Sequence, residues 1–523
     1  MIPQSHLHDA VHTPPYRRHS SERPGPWQRV IVLANRAPVR HEWSREGGLG
    51  VTRSASGVVT ALEPIVAGVG GTWVAHATGP ADSAAALRRN GLTMSHPASP
   101  YRLRFVNLSG REYDAYYYGF SNEALWPLCH AVPVQPVFRA DDYGMYRHAN
   151  RRFAAAVVDE VGGQAALVMV QDYHFALAPR LLQRRLPAGS TILSFWHIPW
   201  PHASEFGKCP WASELIDGLL GSDIVGFQTQ GDLENFLDTV AVTLDADILR
   251  SADIVVYRGH ATRVRVYPVG VEWNNPVVRE MPSIEDCRAE VYRAHGLRPD
   301  VRLGVGVDRL DYTKGIHEKL LAIERLLERH LEWRQQLAFI QVAEPSRERL
   351  PEYRAVRAQI DDTARRINMR FGGNTFRPIT LLETHHDAKA VYTLYRAADF
   401  CYVGSLHDGM NLVAKEFVCA RTDHRGVLVL SEFAGAARQL RAAVLVDPYA
   451  VDGTAHTLAR AITMPPSEQK HRMRLLRANV AKFDSNWWRQ QLFEDASAVT
   501  RDPLVGNKLE RPYRAPLRHV ATA

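Results

Sequence analysis

Short apolar runs that stop abruptly at polar residues recur along this chain, and the stretches between them carry Leu and Ile at helical spacing. Val30 to Leu33, Ala166 to Val170, Ile192 to Phe195 and Asp223 to Phe227 form one set. Leu303 to Val307, Leu337 to Val342, Phe400 to Val403, Gly426 to Leu430 and Val444 to Val446 form a second. Continuous runs of this length, without alternation, predict strands buried on both faces, as in parallel sheets covered by helices. The unit from Leu303 onward is the sharpest: after the run, Ile316, Leu320, Ile323 and Leu327 recur at helical spacing. Two such sets predict two α/β halves, with ligands meeting the carboxyl edges of the strands.

Composition sets the class. At 523 residues, with 46% apolar and 23% charged residues, the chain has core enough for two large domains and the make-up of an ordinary globular protein. Of the net charge of +7, the first 29 residues hold +2 and residues 501–523 hold +3, leaving about +2 for the body. Basic tails, not a nucleic-acid-binding face, are expected, with no nucleic acid partner. Cys129, Cys209, Cys287, Cys401 and Cys419 are scattered and without CxxC spacing, which predicts a reduced compartment and neither a zinc site nor a disulfide framework. No run is long enough to cross a membrane and the N-terminus has no apolar signal core, so a cytoplasmic location and no membrane partner are expected. Residues 1–28, rich in Pro, His, Ser and Arg, are read as a disordered basic tail. Beyond it we expect an N-terminal Rossmann-like domain over 29–270, a C-terminal one over 271–483, a helix over 484–503 packing back on the first domain, and a tail over 504–523.

The candidate ligand residues follow the strands. Arg36 comes just after Val30 to Leu33, Asp172 just after Ala166 to Val170, and His197 just after Ile192 to Phe195. Taken singly, such an Asp or His is usually a cap or a satisfied core residue; at neighbouring strand tips the pair reads as ligand-facing. In the second half, Arg309 and Lys314 flank the start of the helix that begins near Gly315, where peptide N–H groups and two cations suit a diphosphate. Arg347 follows the next strand, and Asp408-Gly409 reads as a tight turn leading into a helix with Glu416 about one turn inside it, placed to accept ribose hydroxyls or simply favoured there by the helix dipole. Tyr116 to Pro127 packs aromatics that serve as core or as a sugar-stacking wall. Of two glycine-rich stretches, Gly47 to Gly50 reads more readily as a hairpin turn, and Ser56-Gly57, which precedes an apolar run, is the better candidate for presenting N–H groups to an anion. GxGxxG, GxxxxGK[ST], HExxH and GxSxG are all missing.

Together Ala34-Asn35-Arg36, Tyr117 to Pro127, Gln171 to His174, His197-Ile198-Pro199, Asp308 to Gly315 and Asp408 to Glu416, in that order, resemble the trehalose-6-phosphate synthase family of retaining glycosyltransferases over roughly residues 29–500. The resemblance implies an α/β GT-B fold, two Rossmann-like domains facing each other across a cleft, and a metal-independent hexosyltransferase without a cofactor. It implies a nucleotide-sugar donor, UDP-glucose being the first expectation, and a sugar-phosphate acceptor, glucose 6-phosphate. Arg36, Tyr117, Trp126, Asp172 and Arg347 would bind the acceptor. Ser56, Gly57, Arg309, Lys314, His386, Asp408, Gly409, Met410, Asn411, Leu412, Val413 and Glu416 would bind the donor. Arg309, Lys314, Asp408 and His197 would form the catalytic centre. A homo-oligomer is compatible with it. Two positions depart from the family pattern: Ser56-Gly57-Val58 replaces a Gly-Gly-Leu loop, and His407 stands where Arg is common. The same motifs also admit a glucosylglycerol-phosphate synthase, or a non-catalytic sugar-phosphate-binding homologue.

Overall fold

The computed structural model describes residues 25–44, 48–53, 57–88 and 92–500. Most of the expected N-terminal tail, the expected tail over 504–523 and Ser56 lie outside the described residues. The chain is already ordered at Trp27, which the sequence reading assigns to the tail: its ring is buried and its Nε1 donates to Thr191 Oγ1 at 3.1 Å. A single large ring can anchor such a segment because its apolar burial outweighs the cost of ordering a few residues.

Each set of apolar runs builds one sheet. The first is ten-stranded, in the spatial order Asp247–Leu249, Ile254–Tyr257, His260–Val266, Ile224–Phe227, Thr191–Phe195, Ala166–Gln171, Arg29–Leu33, Thr72–His76, Tyr101–Val106, Leu92–Met94. Its central strands, from His260–Val266 to Tyr101–Val106, are parallel, and antiparallel strands close both edges. The second is a six-stranded parallel sheet in the order Ile379–Leu382, Leu337–Glu344, Arg302–Arg309, Phe400–Val403, Val427–Ser431, Val444–Val446. Helices cover both faces, so strands such as Ala166–Gln171 and Phe400–Val403 are buried throughout. Of the Gly47 to Gly50 stretch, Leu49 and Gly50 belong to an antiparallel hairpin of Val39–Trp43 and Leu49–Arg53, and Gly47 lies outside the described residues.

Register puts the polar strand ends side by side. Gln171 pairs with Phe195, so Asp172 and His197 leave adjacent strands together, and the Asp172 N–H donates to Phe195 O at 2.7 Å. Arg309 pairs with Glu344, which brings Arg347 close to the turn that follows Arg309.

Two crossings join the halves. The segment after His260–Val266 passes to the second sheet, and the chain returns through Phe483 and Asp484. They touch at Gly270, where a Cβ would stand 2.3 Å from the Asp484 carbonyl carbon, so only glycine fits. The last helix among the described residues, Ser485–Val499, packs on the first sheet: Trp488 is buried edge-on against Phe195 and donates to Tyr267 O at 3.1 Å. Losing that ring would cost about 3–5 kcal/mol by the usual Trp→Ala range.

Candidate functional site

The carboxyl edges of the two sheets enclose a cavity of about 420 Å³. Arg36, Tyr117, Trp126, Asp172, His197, Arg309, Lys314, Arg347, His386, Asp408, Met410, Asn411, Leu412, Val413 and Glu416 all stand on its wall. Gly409 does not: it lies behind the wall against the first half, where a Cβ would meet His197 O at 2.1 Å. Gly57 opens the helix Gly57–Gly68, whose Val59 reaches the cavity.

Tyr117 is set by an unusual helix. Asp114–Leu125 winds as a π-helix, a geometry frequent at functional sites, and side chains repeat its wide spacing: Ser121 Oγ donates to Tyr116 O at 2.8 Å and Asn122 Nδ2 to Tyr117 O at 2.6 Å. The Tyr117 ring lies stacked between Tyr113, at 4.9 Å, and His174, at 5.7 Å. Burial pushes its phenol up, but the guanidinium groups of Arg347 and Arg36 outweigh that and bring it down to about 7.

Arg347 is held by carboxylate, phenol and indole groups at once. It is buried, with φ at +48°, in the left-handed region. Nη1 donates to Asp311 Oδ2 at 3.1 Å and to Tyr353 OH at 2.6 Å, Nη2 donates to Tyr173 OH at 3.3 Å, and the guanidinium lies 4.1 Å from the Trp126 ring centre. A planar fork stacked on indole is a role Lys cannot fill. Arg309 is a third exposed, 5.6 Å from the same indole.

The other end of the cavity is held by carboxylates. Lys314 Nζ donates to Asp408 Oδ2 at 2.5 Å, and Ser405 and Asn411 donate to the same oxygen at 3.2 and 3.1 Å. Burial raises the Asp408 carboxyl, yet Lys314 more than offsets it and leaves the group below its ordinary range. Asn411, at φ +75°, also caps the helix Leu412–Ala420 through the Ala414 N–H. Glu416 accepts from Tyr395 OH at 3.2 Å, and burial raises its carboxyl. Beneath Arg309, Lys319 and Asp308 form a buried pair joined by Gln341.

Asp172 sits at φ +74° and ψ 172°, a region nearly reserved for glycine. Strain of this kind costs about 1–3 kcal/mol per residue and persists where the surroundings hold it; Asp172, Arg347 and Asn411 carry it on this one wall. Burial pushes the Asp172 carboxyl up to about 7 although the Tyr173 and His197 N–H groups favour its charge. His197 is pushed down to about 3 by burial, so its imidazole is neutral. Its Nε2 lies 2.9 Å from Gln171 Oε1. His407, in place of the expected Arg, reaches across to the first half, its Nδ1 2.7 Å from His130 O.

Sequence reasoning assigned no role to Gln171, Tyr173, His174, His130 or Gln228, all on the wall. The first three lie inside a motif already singled out. His130 follows Trp126 by one helical turn and its ring lies 4.2 Å from the indole, a spacing that marks a shared face. Gln228 carries no sequence signal.

Comparison with known proteins follows the same outline. The model of glycosyltransferase family 20 matches residues 28–498. A trehalose-6-phosphate synthase of Mycobacterium sp. (strain JLS) is 38% identical over 482 residues, covering 90% of this chain and 96% of that one. Among solved structures, one from E. coli bound with UDP-2-fluoro glucose superposes with a TM-score of 0.78 at 30% identity, covering 90% of this chain and 99% of the other. An α,α-trehalose-phosphate synthase (UDP-forming) from Burkholderia xenovorans in complex with glucose-6-phosphate gives 0.78 at 28% identity, covering 90% and 99%.

Proposed function

The chain belongs to glycosyltransferase family 20 and is a retaining glycosyltransferase of the GT-B fold, and from that premise we propose that it transfers glucose from UDP-glucose to the anomeric hydroxyl of glucose 6-phosphate, forming α,α-trehalose 6-phosphate. The observation that carries this reading is the distribution of four cations along one cavity: Arg36 and Arg347 around the Tyr117 hydroxyl, Arg309 over the Trp126 ring that Arg347 also covers, and Lys314 paired with Asp408. Relatives of the same outline were solved with a UDP-2-fluoro glucose and with glucose-6-phosphate, which supports the same pair of substrates here.

In this reading Arg36, Tyr117 and Arg347 hold the acceptor phosphate, Trp126 shapes that pocket, and Asp172 takes an acceptor hydroxyl. Arg309 and Lys314 hold the donor diphosphate, Asp408 and residues 410–413 the glucose, Glu416 the ribose, and His386 lines the donor side. Ser56 and Gly57 approach the diphosphate, and neutral His197 hydrogen-bonds the glucose without exchanging protons. The bond from glucose C1 to the diphosphate breaks on the face where the acceptor hydroxyl adds. The departing phosphate oxygen takes the hydroxyl proton, while Arg309 and Lys314 stabilise the charge left on the diphosphate. The working location is the cytoplasm, and the domains divide near residue 270 and near residue 483, where the crossings touch.

The test is a panel of UDP-, ADP- and GDP-glucose against glucose 6-phosphate and glycerol 3-phosphate, with products read by mass and anomeric NMR. An α,α-linked disaccharide phosphate from UDP-glucose and glucose 6-phosphate is expected. Transfer to glycerol 3-phosphate alone, or binding of sugar phosphate without transfer, overturns the assignment.

A further inference from the structure

Asp311 stands outside the cavity wall, between Arg347 and the turn that carries Arg309 and Lys314. Its side chain is fully buried, and its two oxygens serve different partners. Oδ2 accepts from Arg347 Nη1 at 3.1 Å and from Tyr353 OH at 3.2 Å. Oδ1 accepts from the Thr313 N–H at 3.1 Å and from Thr313 Oγ1 at 2.9 Å, and the Asp311 carbonyl takes the Lys314 N–H at 3.0 Å. Arg309 Nη2 lies 3.9 Å from Oδ2.

A carboxylate so placed fixes cations without meeting the phosphates they bind. Tyr173, Trp126 and Tyr353 hold the Arg347 guanidinium from other sides, but Asp311 is the carboxylate that pairs with it among the described residues. On its other oxygen, the Asx-type bonds to Thr313 close the turn Tyr312–Lys314, so the direction in which Lys314 leaves the backbone depends on the same side chain. Thr313 and Tyr353, like Asp311, are buried and off the cavity wall.

We propose that Asp311 is a positioning residue shared by both substrate sites, one oxygen orienting the acceptor-phosphate arginine and the other orienting the turn that presents Arg309 and Lys314 to the leaving diphosphate. The inference rests on the substrate assignment above. Burial alone would raise the Asp311 carboxyl, and Arg347, Arg309 and Lys314 together keep it below its ordinary range, consistent with a permanent anion among these cations.

Three variants separate the two oxygens, each assayed by steady-state kinetics with UDP-glucose and glucose 6-phosphate and by thermal melting. Tyr353→Phe loosens the Oδ2 side and raises the acceptor KM with kcat near wild type. Thr313→Val loosens the Oδ1 side and lowers kcat with the acceptor KM near wild type. Asp311→Asn does both, with each parameter moving about tenfold, as small misplacements of a catalytic group do. The inference is overturned if Tyr353→Phe and Thr313→Val move the same parameter, or if folded Asp311→Asn changes only one of the two. Should Asp311→Asn not fold, the split between the other two variants still decides. Wild-type protein that turns over neither substrate would instead remove the substrate assignment, an outcome distinct from an active enzyme without the split.

Discussion

At the Tyr117 end of the cavity, two arginines face a phenol and a set of tyrosines, whereas at the Asp408 end a lysine is locked to a buried carboxylate. Each end pairs a cation with a buried carboxylate, Arg347 with Asp311 and Lys314 with Asp408. Asp311 stands off the cavity wall, however, so inside the cavity Arg36 and Arg347 meet the Tyr117 phenol whereas Lys314 meets Asp408 itself. A phenol yields its place to a phosphate at small cost because it can be protonated and neutral near pH 7, while a carboxylate below its ordinary range keeps its charge. The first end is therefore suited to capture and release a phosphorylated acceptor. The second is suited to hold fixed charge while a diphosphate gains charge, which is where pre-set electrostatics act on rate.

The largest effect expected is on turnover, at the two cations proposed to meet the leaving diphosphate. Lys314→Ala and Arg309→Ala should each lower kcat at saturating donor by about 10² to 10³, or roughly 2.7–4 kcal/mol, as the loss of an oxyanion-hole contact does. Near-normal kcat in both would place the catalytic centre elsewhere. Cations exposed in a cleft contribute little to folding. The structure separates the two, because Lys314 is 13% exposed and its loss strands buried Asp408. Lys314→Ala should therefore cost about 3 kcal/mol of stability in denaturant melts, while Arg309→Ala costs little.

At the phenol-lined end the effect moves to binding. Arg347→Ala should raise the KM for glucose 6-phosphate by about tenfold to a hundredfold, the equivalent of about 1.5–3 kcal/mol for hydrogen bonds to a charged group, with a far smaller change in donor KM. An unchanged acceptor KM in both Arg347→Ala and Arg36→Ala would take the phosphate away from this end.

A smaller effect sharpens the comparison through pH. With the Tyr117 phenol at about 7, its neutral form prevails below pH 7 and its anion above, where it competes with phosphate for Arg36 and Arg347. The acceptor KM should rise above pH 7, by at most about tenfold per unit, while donor KM stays level. Tyr117→Phe should flatten the profile; an unchanged rise in that variant would assign the titration to another group. Least of all should respond to chelation. If Arg309 and Lys314 meet the diphosphate as proposed, turnover in excess EDTA should equal the untreated rate, and recovery only on adding magnesium or manganese would contradict it.

Sequence alone carried what is local and periodic. The apolar runs of this chain became the strands of two sheets because a fully buried parallel strand must be apolar throughout, and that pattern is written residue by residue. The polar residues that end those runs, Arg36, Asp172, His197, Arg309, Arg347 and Asp408, reach one cavity because the carboxyl edge of a parallel sheet is where side chains are free of the ladder. Tertiary structure decided what those residues touch. Asp311 pairs with Arg347 across 36 positions, Lys314 with Asp408 across 94, and His407 with His130 across 277, and no local spacing encodes such meetings. The pairing of Lys314 changes the meaning of its charge from a solvated cation to half of a buried pair. The π-helix that aims Tyr117 and the left-handed backbone of Asp172 and Arg347 were equally unreadable, since each is a strained local state that only the packed surroundings hold in place.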